Sequence, residues 1–498
     1  MDSISQSMNR LVFFLHTALE KSILALFGRY IKNPSKTSPS IVLPCSPTHQ
    51  SLAELLENWD EQAHPYLSPF FHPADLDRVV SSLPKDGQAE ILYFDHCLEN
   101  HRMAPFLKPN WSPELWLNVD LLFGAAYQAS FLRQLANQGD EKLIARAILR
   151  AKQIKRVPNM IIQTPDYPWQ IAEQAHLHRQ TVQDYLNLIG VRPPNIDFRP
   201  NGSLRFHWSL SEELVSIVIP NRNNLSLLKR CIDSIYSHTD YPNYEILVVD
   251  DHSTDADVLK YYQQQKREKW NFRVLEGEKP FNFSRACNQG AKAASGAFVL
   301  FLNNDTEVLH ADWLTNLVGV AKLPGVGAVG AKLIYPNGKV QHAGVVIGLE
   351  GHASHVFQGV SNDPFTPYGY VNWMRNVSAV TAACMLLPRD AFWEVGGFEE
   401  QFQIAFGDID LCLRLRDAGY RVVYSPDACL IHHEGKSRGK YIPAQDIRAK
   451  ADYFLQKVAE GDPYYHPALS RAWRIPTLRW RWEQDPLLRL KKIIQLLG

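Results

Sequence analysis

The chain has 498 residues, equal numbers of basic and acidic side chains, and a hydrophobic fraction of 45%. This composition is typical of a globular protein with more than one core and excludes a disordered chain. A zero formal net charge argues against a non-specific nucleic-acid binder, so we expect no nucleic-acid partner. The seven cysteines form no CxxC pair, which predicts small core residues in a reducing compartment instead of disulfides or a zinc site.

The stretch "LVFFLHTALEKSILALFGRY", residues 11–30, comes closest to a membrane span. Charged residues and a histidine interrupt it, so we expect neither a transmembrane helix nor a secretory signal. Its apolar residues recur every four positions, which predicts an amphipathic helix that packs on the next domain, with a surface membrane anchor as the alternative. We therefore expect a cytoplasmic protein that can contact the inner membrane surface.

Three regions are predicted along the chain. Residues 1–210 are expected to be a mostly helical N-terminal region of unknown role, because residues 112–154 carry helical periodicity. Within it, residues 33–49 are rich in Pro and Ser and predict a flexible linker. Residues 211–440 are expected to form the domain that carries the chemistry, and residues 441–498 a C-terminal helical extension.

After Leu214, apolar strands alternate with helical segments, as in "LVSIVIP", "EILVVDD" and "AFVLFLNND". This alternation predicts an α/β fold with a Rossmann-like parallel sheet covered on both faces. Three strands end in polar residues, at 220–223, 250–251 and 303–305. Because ligands bind outside the carboxyl ends of such strands, these ends predict a site. No GxGxxG follows the first of these strands, which disfavours a dinucleotide cofactor, and no GxxxxGK[ST] loop is found for a kinase-type phosphate site.

The segments "VSIVIPNRNN", "ILVVDDHSTD", "NQGAKAASGAFVLFLNND" and "GDIDLCLRLRDAGYRVVYSPDACLIHHEG" together resemble the motif set of family 2 glycosyltransferases with the GT-A fold. The likeness covers about residues 214–440 and is closest to bacterial surface-polysaccharide and rhamnosyltransferase-like members. It implies an inverting, metal-dependent hexosyl- or rhamnosyltransferase in cell-surface polysaccharide synthesis. The implied donor is a UDP- or dTDP-sugar, the acceptor a saccharide or lipid-linked hydroxyl, and the cofactor Mg²⁺ or Mn²⁺.

The resemblance assigns the metal to Asp305, since such ions are commonly held by one or two carboxylates plus substrate phosphates. As a plain strand end, Asp305 would only cap a turn. The family usually has DxD here; Asn303 replaces the first acid, and Asn304 is expected to contact the donor. The family's metal histidine aligns best with His432. His433 is the alternative, because adjacent side chains of a strand point to opposite faces.

The resemblance also implies the donor-binding residues. Asp251 is expected to accept the imide N–H of a uracil or thymine base, and Pro220 and Arg222 to line the base and diphosphate. Asn288 matches the Asn of the family's "ARNxG" pattern. Trp373 is expected either to floor the sugar site, since aromatic faces suit sugar C–H surfaces, or to be a core residue.

Asp408 is the expected general base that deprotonates the acceptor hydroxyl. It stands directly before a helical pattern, so the structural alternative is an N-cap. The family often has Glu-Asp or Asn-Asp here, and Gly407 replaces the first member.

Two other functions fit parts of the pattern. A catalytically silent sugar-nucleotide-binding protein is compatible with the lost acids at positions 303 and 407, although Asp305, Asp408 and the His pair argue against it. A nucleotidyltransferase would share the sheet and the metal carboxylate. It needs a Gly-rich loop after the first strand, which "IPNRNN" lacks.

Overall fold

The computed structural model describes residues 43–44, 66–68, 76, 89–98, 105–137, 142–192, 194–433, 443–480 and 482–497. The amphipathic helix expected at residues 11–30, and all of the linker expected at 33–49 except residues 43–44, lie outside the described residues.

The N-terminal region contains both helices and strands. Its strands are β1 (Leu43–Pro44), β2 (Tyr66–Leu67), β3 (Ile91–Leu98), β4 (Ala126–Gln128), β5 (Ile154–Thr164), β6 (Asn195–Phe198) and β7 (Leu204–His207). Its helices are α1 (Pro113–Asn118), α2 (Ala129–Ala136), α3 (Leu143–Arg150) and α4 (Ala172–Leu188), with a 3₁₀ turn at Pro168–Gln170. The first five strands form one sheet in the order β1-β5-β3-β4-β2, and β6 pairs with β7.

This composition corrects the expectation of a mostly helical region. Helices do form within residues 112–154, but β3 and β5 lie at the centre of a sheet. The run "ILYFDHCL" of β3 is buried almost throughout. Such a continuous apolar run does not reveal whether it is a buried strand or a buried helix, so its neighbours in space decide.

The first half of the central domain has the predicted alternation. It comprises β8 (Val215–Asn221), α5 (Leu225–Ser237), β9 (Tyr244–Asp250), α6 (Ala256–Glu268), β10 (Phe272–Glu276), α7 (Phe283–Ala293) and β11 (Phe298–Leu302). These strands are parallel in the order β10-β9-β8-β11. Helix α7 packs closely on β8, since a Cβ at Gly290 would lie 2.2 Å from Val218 Cγ1. The expected α/β fold with a Rossmann-like first half is confirmed.

The second half extends the same sheet. Its strands are β12 (Thr306–Val308), β13 (Val326–Ile334), β14 (Val340–His342), β15 (Val345–Ile347), β16 (Ala353–His355), β17 (Arg375–Asn376), β18 (Cys384–Pro388) and β19 (Arg421–His432). Its helices are α8 (Trp313–Ala321), α9 (Arg389–Glu394) and α10 (Gly407–Asp417), with a 3₁₀ turn at Leu349–Gly351. The sheet continues from β11 through β18, β13 and β19 to β12.

The C-terminal extension contains helices α11 (Ala444–Arg448), α12 (Ala451–Glu460) and α13 (Pro486–Leu497). Between α12 and α13 the chain forms a hairpin-like turn in which Leu469 bridges Leu478. None of the helices among the described residues combines the length and hydropathy that a membrane crossing requires.

The N-terminal region shares a core with the large sheet of the central domain. Trp373 is fully buried and lies edge-on to Phe106 and Trp169 of the N-terminal region, with ring centroids 5.4 and 5.0 Å away. Trp373 is therefore a core residue and not the floor of a sugar site. Aromatic edge-to-face contacts of this kind stabilise a core beyond the area that they bury.

Candidate functional site

The order of the parallel strands reverses between β8 and β11, which makes this the switch point of the sheet. Two side chains join across it: the Asn304 amide donates to Asn221 Oδ1 at 2.6 Å. Asn221 in turn donates to the Tyr262 hydroxyl at 2.8 Å. Asn304 thus lies at the predicted ligand edge, with its amide N–H directed at the end of the first strand.

The loops after β8 and β9 are tied together by Asn223. This residue has φ of +52°, a left-handed conformation that Asn tolerates better than most residues. Its side-chain oxygen accepts the backbone N–H groups of Thr254 and Asp255 at 2.8 and 3.1 Å, and its own N–H donates to Ser253 Oγ at 2.7 Å. The polar run "NRNN" therefore holds one edge of the site rigid.

Asp250 and Asp251 have different roles. Asp250 accepts hydrogen bonds from Tyr262 at 2.8 Å and from the backbone N–H of Ser253 at 2.9 Å, so it holds the turn. Burial, together with the charge of Asp250, raises the pKa of Tyr262, which keeps its hydroxyl a donor. Asp251 has Oδ2 3.3 Å from Arg222 Nη1. Arg222 is largely exposed and Asp251 is buried, so an accessible guanidinium lies beside a buried carboxylate.

Asp305, in the loop between β11 and β12, lies close to His432 at the end of β19. Thr306 of β12 pairs with His432 of β19, which brings Asp305 Oδ1 to 3.1 Å from His432 Nε2. The Nδ1 atom of His432 lies 2.7 Å from Gln341 Oε1. Donation from Nδ1 to Gln341 makes Nε2 the acceptor nitrogen, the form in which a histidine binds a metal, and Nε2 lies near both Asp305 Oδ1 and Asn303 Nδ2.

The donor set of one carboxylate and one imidazole fits a divalent ion. Asp305 is only 4% exposed and lies beside His432, and carboxylate oxygen is a ligand that Mg²⁺ accepts in proteins. Within the described part of the chain, no three His, Cys, Asp or Glu side chains are arranged to hold an ion alone. The remaining ligands would therefore be substrate phosphates and water, as is usual for Mg²⁺.

His433 faces a different environment. Its Nε2 lies 3.2 Å from Glu307 Oε2 and 3.3 Å from Arg230 Nη1. Its backbone N–H donates to the Asp305 carbonyl at 2.9 Å. The alternation of side chains along β19 thus separates the two histidines, and the geometry favours His432 over His433 as the metal ligand.

Asp408 is the second residue of helix α10, and Phe406 takes the N-cap position. The structural alternative, in which Asp408 is the N-cap of this helix, is therefore wrong. The Asp408 carboxylate accepts the backbone N–H of Ala382 at 3.1 Å and that of Ile409 at 2.9 Å, and a carboxylate in a first turn is stabilised by the helix dipole. Gly407 is required by close packing, because a Cβ there would lie 2.8 Å from Ser284 Oγ.

One cavity of about 1120 Å³ joins these groups. Its polar side carries Asn303, Asp305, Gln341, Thr381, Asp408 and His432. Its other side is apolar and comes mainly from the C-terminal extension, including Phe454, Val458, Leu490, Ile493 and Ile494. The cavity therefore places a metal-competent pair and a carboxylate base candidate beside an apolar wall.

None of the predicted donor-binding residues lines this cavity, and two of them, Asn288 and Pro220, are engaged in packing. The Asn288 amide donates to the Phe398 carbonyl at 2.9 Å and accepts the Phe398 N–H at 2.8 Å, so it holds the loop before α10. Pro220 is buried in β8 opposite Val249 of β9. Both support the site from behind its surface.

Sequence reasoning missed Gln341 and Asp446. Gln341 orients His432 from β14, and Asp446 accepts the backbone N–H groups of Gln403, Ile404 and Ala405 at 2.8 to 2.9 Å. Asp446 thereby fixes the loop that leads into α10. A lone Gln in "KVQHAG" and a lone Asp in "PAQDIR" carry no signal in the sequence, since both act across long chain separations.

The fold and the site define an α/β protein with a carboxylate-lined cavity at the carboxyl edge of its sheet. Residues 216–396 match the sequence profile described as Glycosyl transferase family 2. This match agrees with the resemblance found in the sequence and confirms it over these residues.

Three relatives show the range of similarity. The O-antigen biosynthesis protein RfbC of Myxococcus xanthus is 34% identical over 80% of this chain and 33% of its own length. The uncharacterized protein y4gI of Sinorhizobium fredii is 35% identical over 80% of this chain and 47% of its own length. The N-acetylglucosaminyl-diphospho-decaprenol L-rhamnosyltransferase of Mycobacterium tuberculosis is 27% identical over 53% of this chain and 87% of its own length. The chain spans a third to about half of the first two relatives.

Proposed function

We propose that the chain is an inverting glycosyltransferase that moves a sugar from a nucleotide-diphosphate donor to a hydroxyl group of a saccharide or lipid-linked acceptor. The observation that carries this proposal is the shared cavity of Asp305, His432 and Asp408, which come from three separate elements. The family 2 match supports the reaction class. The names of the O-antigen and rhamnosyltransferase relatives support a role in cell-surface polysaccharide synthesis.

Each group then has one task. Arg222 and Asp251 receive the nucleotide at the end of β8 and β9, where a carboxylate accepts an imide N–H of the base. Asp305 and His432 hold Mg²⁺ or Mn²⁺, which when bound offsets the charge of the departing diphosphate. Asn304 contacts the donor at the switch point.

Asp408 takes the proton of the acceptor hydroxyl. The acceptor oxygen forms its bond to the anomeric carbon while the bond to the diphosphate breaks, and the diphosphate leaves with the electron pair. Attack opposite the leaving group inverts the configuration. Because a hydroxyl is a weak nucleophile at neutral pH, removal of its proton by a positioned carboxylate is worth about 10² to 10⁴ in rate.

A donor screen tests the proposal. UDP-, dTDP- and GDP-sugars are incubated with the protein and Mg²⁺ or Mn²⁺, and released nucleotide and the anomeric configuration of the product are measured by NMR. We expect turnover of UDP- or dTDP-sugars with inversion. Nucleotide binding without turnover of any donor would support the silent sugar-binding alternative, and synthesis of a nucleotide sugar from a nucleoside triphosphate would support a nucleotidyltransferase.

A further inference from the structure

The C-terminal segment of residues 471–492 exposes large apolar side chains. Trp482 is 76% exposed and Trp473 60%, and Ile475 and Leu488 are also exposed. Trp480 lies beside Trp482, with ring centroids 5.4 Å apart. Exposed apolar side chains grouped in this way mark an interaction surface, whereas scattered ones need no explanation.

The same segment is strongly basic. It contains seven Arg and Lys residues and two acidic residues, although the whole chain is balanced. Lys491 and Lys492 are exposed on α13, while Arg474 contacts Glu350 at 2.8 Å. The excess of positive charge is therefore local, and its partner is expected to be anionic.

The hairpin-like turn and helix α13 both pack on the 3₁₀ segment Leu349–Gly351. In the turn, the Ser470 N–H donates to the Thr477 carbonyl at 2.8 Å, which places Trp473 and Ile475 at the tip. The turn joins the 3₁₀ segment Leu349–Gly351 through the Glu350 N–H and the Arg471 carbonyl at 2.7 Å. Helix α13 packs on the same segment, since a Cβ at Gly351 would lie 2.5 Å from Arg489 Cβ.

Helix α13 has two distinct faces. Leu490 and Ile494, one turn apart, line the cavity that contains Asp305 and Asp408. Leu488, Lys491 and Lys492 are exposed on the rest of the helix. The exposed surface of α13 is therefore the back of the apolar wall of the catalytic cavity.

We propose that residues 471–492 form a membrane-binding surface for a bilayer that contains anionic phospholipid. Trp and Leu side chains would enter the interfacial layer, where Trp is favoured because it is apolar with one polar end, and Arg and Lys would contact lipid phosphates. This surface would bring the apolar wall of the cavity next to the lipid part of an acceptor. The purpose that we give this surface rests on the proposed function. Its binding to vesicles can be measured whether or not the protein is a transferase.

Vesicle flotation with the full chain tests the inference. Vesicles of phosphatidylcholine alone are compared with vesicles that also contain phosphatidylglycerol, at low and high salt. We expect binding only to the anionic vesicles, weakened by salt. Lys491→Ala with Lys492→Ala should reduce the affinity about 30-fold, because each cation near an anionic surface contributes about one kilocalorie per mole. Trp473→Ala with Trp482→Ala should reduce it at least about tenfold.

Matched exposed residues elsewhere serve as controls. Trp270 is 86% exposed and Lys260 is exposed on α6, so Trp270→Ala and Lys260→Ala should leave vesicle binding unchanged. Donor hydrolysis without acceptor should stay at the wild-type rate in all of these variants. A chain that binds vesicles but turns over no donor would refute the transferase and leave the surface standing.

Three results would overturn the inference. Equal binding to neutral and anionic vesicles, or wild-type binding by both double variants, would remove the surface from this segment. Loss of binding in the lysine variant alone, with the tryptophan variant unaffected, would show a purely electrostatic surface for a soluble polyanion such as a nucleic acid.

Discussion

Asp408 holds its place through two backbone hydrogen bonds and not through a capping role. Its two oxygens accept the N–H groups of Ala382 and Ile409, which joins the start of α10 to the segment before β18. A carboxylate that is held on both oxygens keeps lone pairs for a third donor. These two bonds are therefore compatible with the role of base that we propose for Asp408.

For Asp408→Asn we expect transfer to fall by about 10² to 10⁴. The amide keeps one acceptor oxygen and loses the other, so the free energy of unfolding should drop by only about 1 kcal/mol. Transfer rate, donor affinity and urea unfolding are measured together. Asp390→Asn, an exposed first-turn acid of α9, is the control. Transfer within a few-fold of wild type would move the base to another residue of the cavity.

The proposed metal site predicts different effects on metal binding for substitutions of His432 and of His433. Asp305→Ala and His432→Ala should abolish Mn²⁺ binding in the presence of nucleotide, as followed by electron paramagnetic resonance of free Mn²⁺. His433→Ala should retain it, since His433 contacts Glu307 and Arg230. Chelator should stop donor turnover in the wild type.

A further prediction concerns Gln341, which orients His432 but is not itself a proposed metal ligand. Gln341→Ala should weaken metal affinity about 10- to 100-fold, as is typical when the group that orients a ligand is lost. A greater loss of metal affinity in His433→Ala than in His432→Ala would instead assign the ligand role to His433.

At the scale of elements, the loop before α10 depends on helix α11 of the C-terminal extension. Asp446 of α11 is 1% exposed and accepts three consecutive backbone N–H groups. Since buried N–H groups without acceptors are costly, this one carboxylate determines the path of residues 403–405. The C-terminal extension thereby shapes the part of the cavity that Ile404 and Ala405 line, in addition to supplying its apolar wall.

Asp446→Ala should lower the free energy of unfolding by about 3 kcal/mol, because hydrogen bonds to a charged group contribute about 1.5 to 3 kcal/mol each and some are replaced by water. Hydrogen exchange at the amides of residues 403–405 should become faster before global unfolding does. Asp452→Ala, an exposed acid of α12, is the control and should change neither quantity. Unchanged exchange at 403–405 would show that other contacts hold the loop.

The segment beside β3 contains a buried lysine with an unusual proton affinity. Lys108 is 1% exposed and its Nζ donates to the Leu121 carbonyl at 2.8 Å. Burial lowers the pKa of Lys108 to about 8, although Asp120 and Asp95 act in the opposite direction. Between this value and the ordinary pKa of 10.5, the unfolded state binds the proton and the folded state has released it.

Stability should therefore rise with pH in that window relative to a variant without the amine. Below pH 8 both states are protonated, so the difference in unfolding free energy between wild type and Lys108→Met should be constant. Above it, the difference should shift in favour of the wild type by up to about 1.4 kcal/mol per pH unit. Urea unfolding of both proteins from neutral to alkaline pH measures this. A difference that does not change with pH would contradict a buried, depressed lysine.

At the scale of the whole molecule, a partly buried ion pair joins the N-terminal region to the central sheet. Glu114 of α1 accepts from Arg421 of β19 at 2.7 Å and from the Asn376 amide of β17 at 2.6 Å. Asp95 of β3 lies 3.1 Å from His466 of the C-terminal extension. These contacts, with the aromatic cluster around Trp373, make the three regions pack as one body.

Glu114→Ala should therefore destabilise the whole chain by about 3 kcal/mol, since it leaves Arg421 and Asn376 without their acceptor. Thermal unfolding should remain a single transition, because the N-terminal region and the sheet share a core. The control is Glu213→Ala, which breaks the exposed pair with Lys322 and should cost less than about 1 kcal/mol. A separate early transition in Glu114→Ala would instead show that the N-terminal region unfolds independently.

The amino-acid sequence by itself determined the class of fold and the edge of the sheet that carries the site. Fully apolar strands alternating with helices permit few arrangements other than a parallel sheet, and parallel strands bring their carboxyl ends to one edge. Asp251, Asn304, Asp305 and His432 were therefore found from local pattern and family resemblance, and their roles stay predictions.

Only the tertiary structure decided which side chains share the cavity. Asn288 looked like a donor contact but holds a loop, Trp373 proved to be core, and Gly407 is set by the approach of Ser284. Gln341 and Asp446 reach the site from distant parts of the chain. Sequence periodicity reports the burial of a residue within its own element, whereas contacts between elements depend on how the whole chain packs, which no local pattern contains.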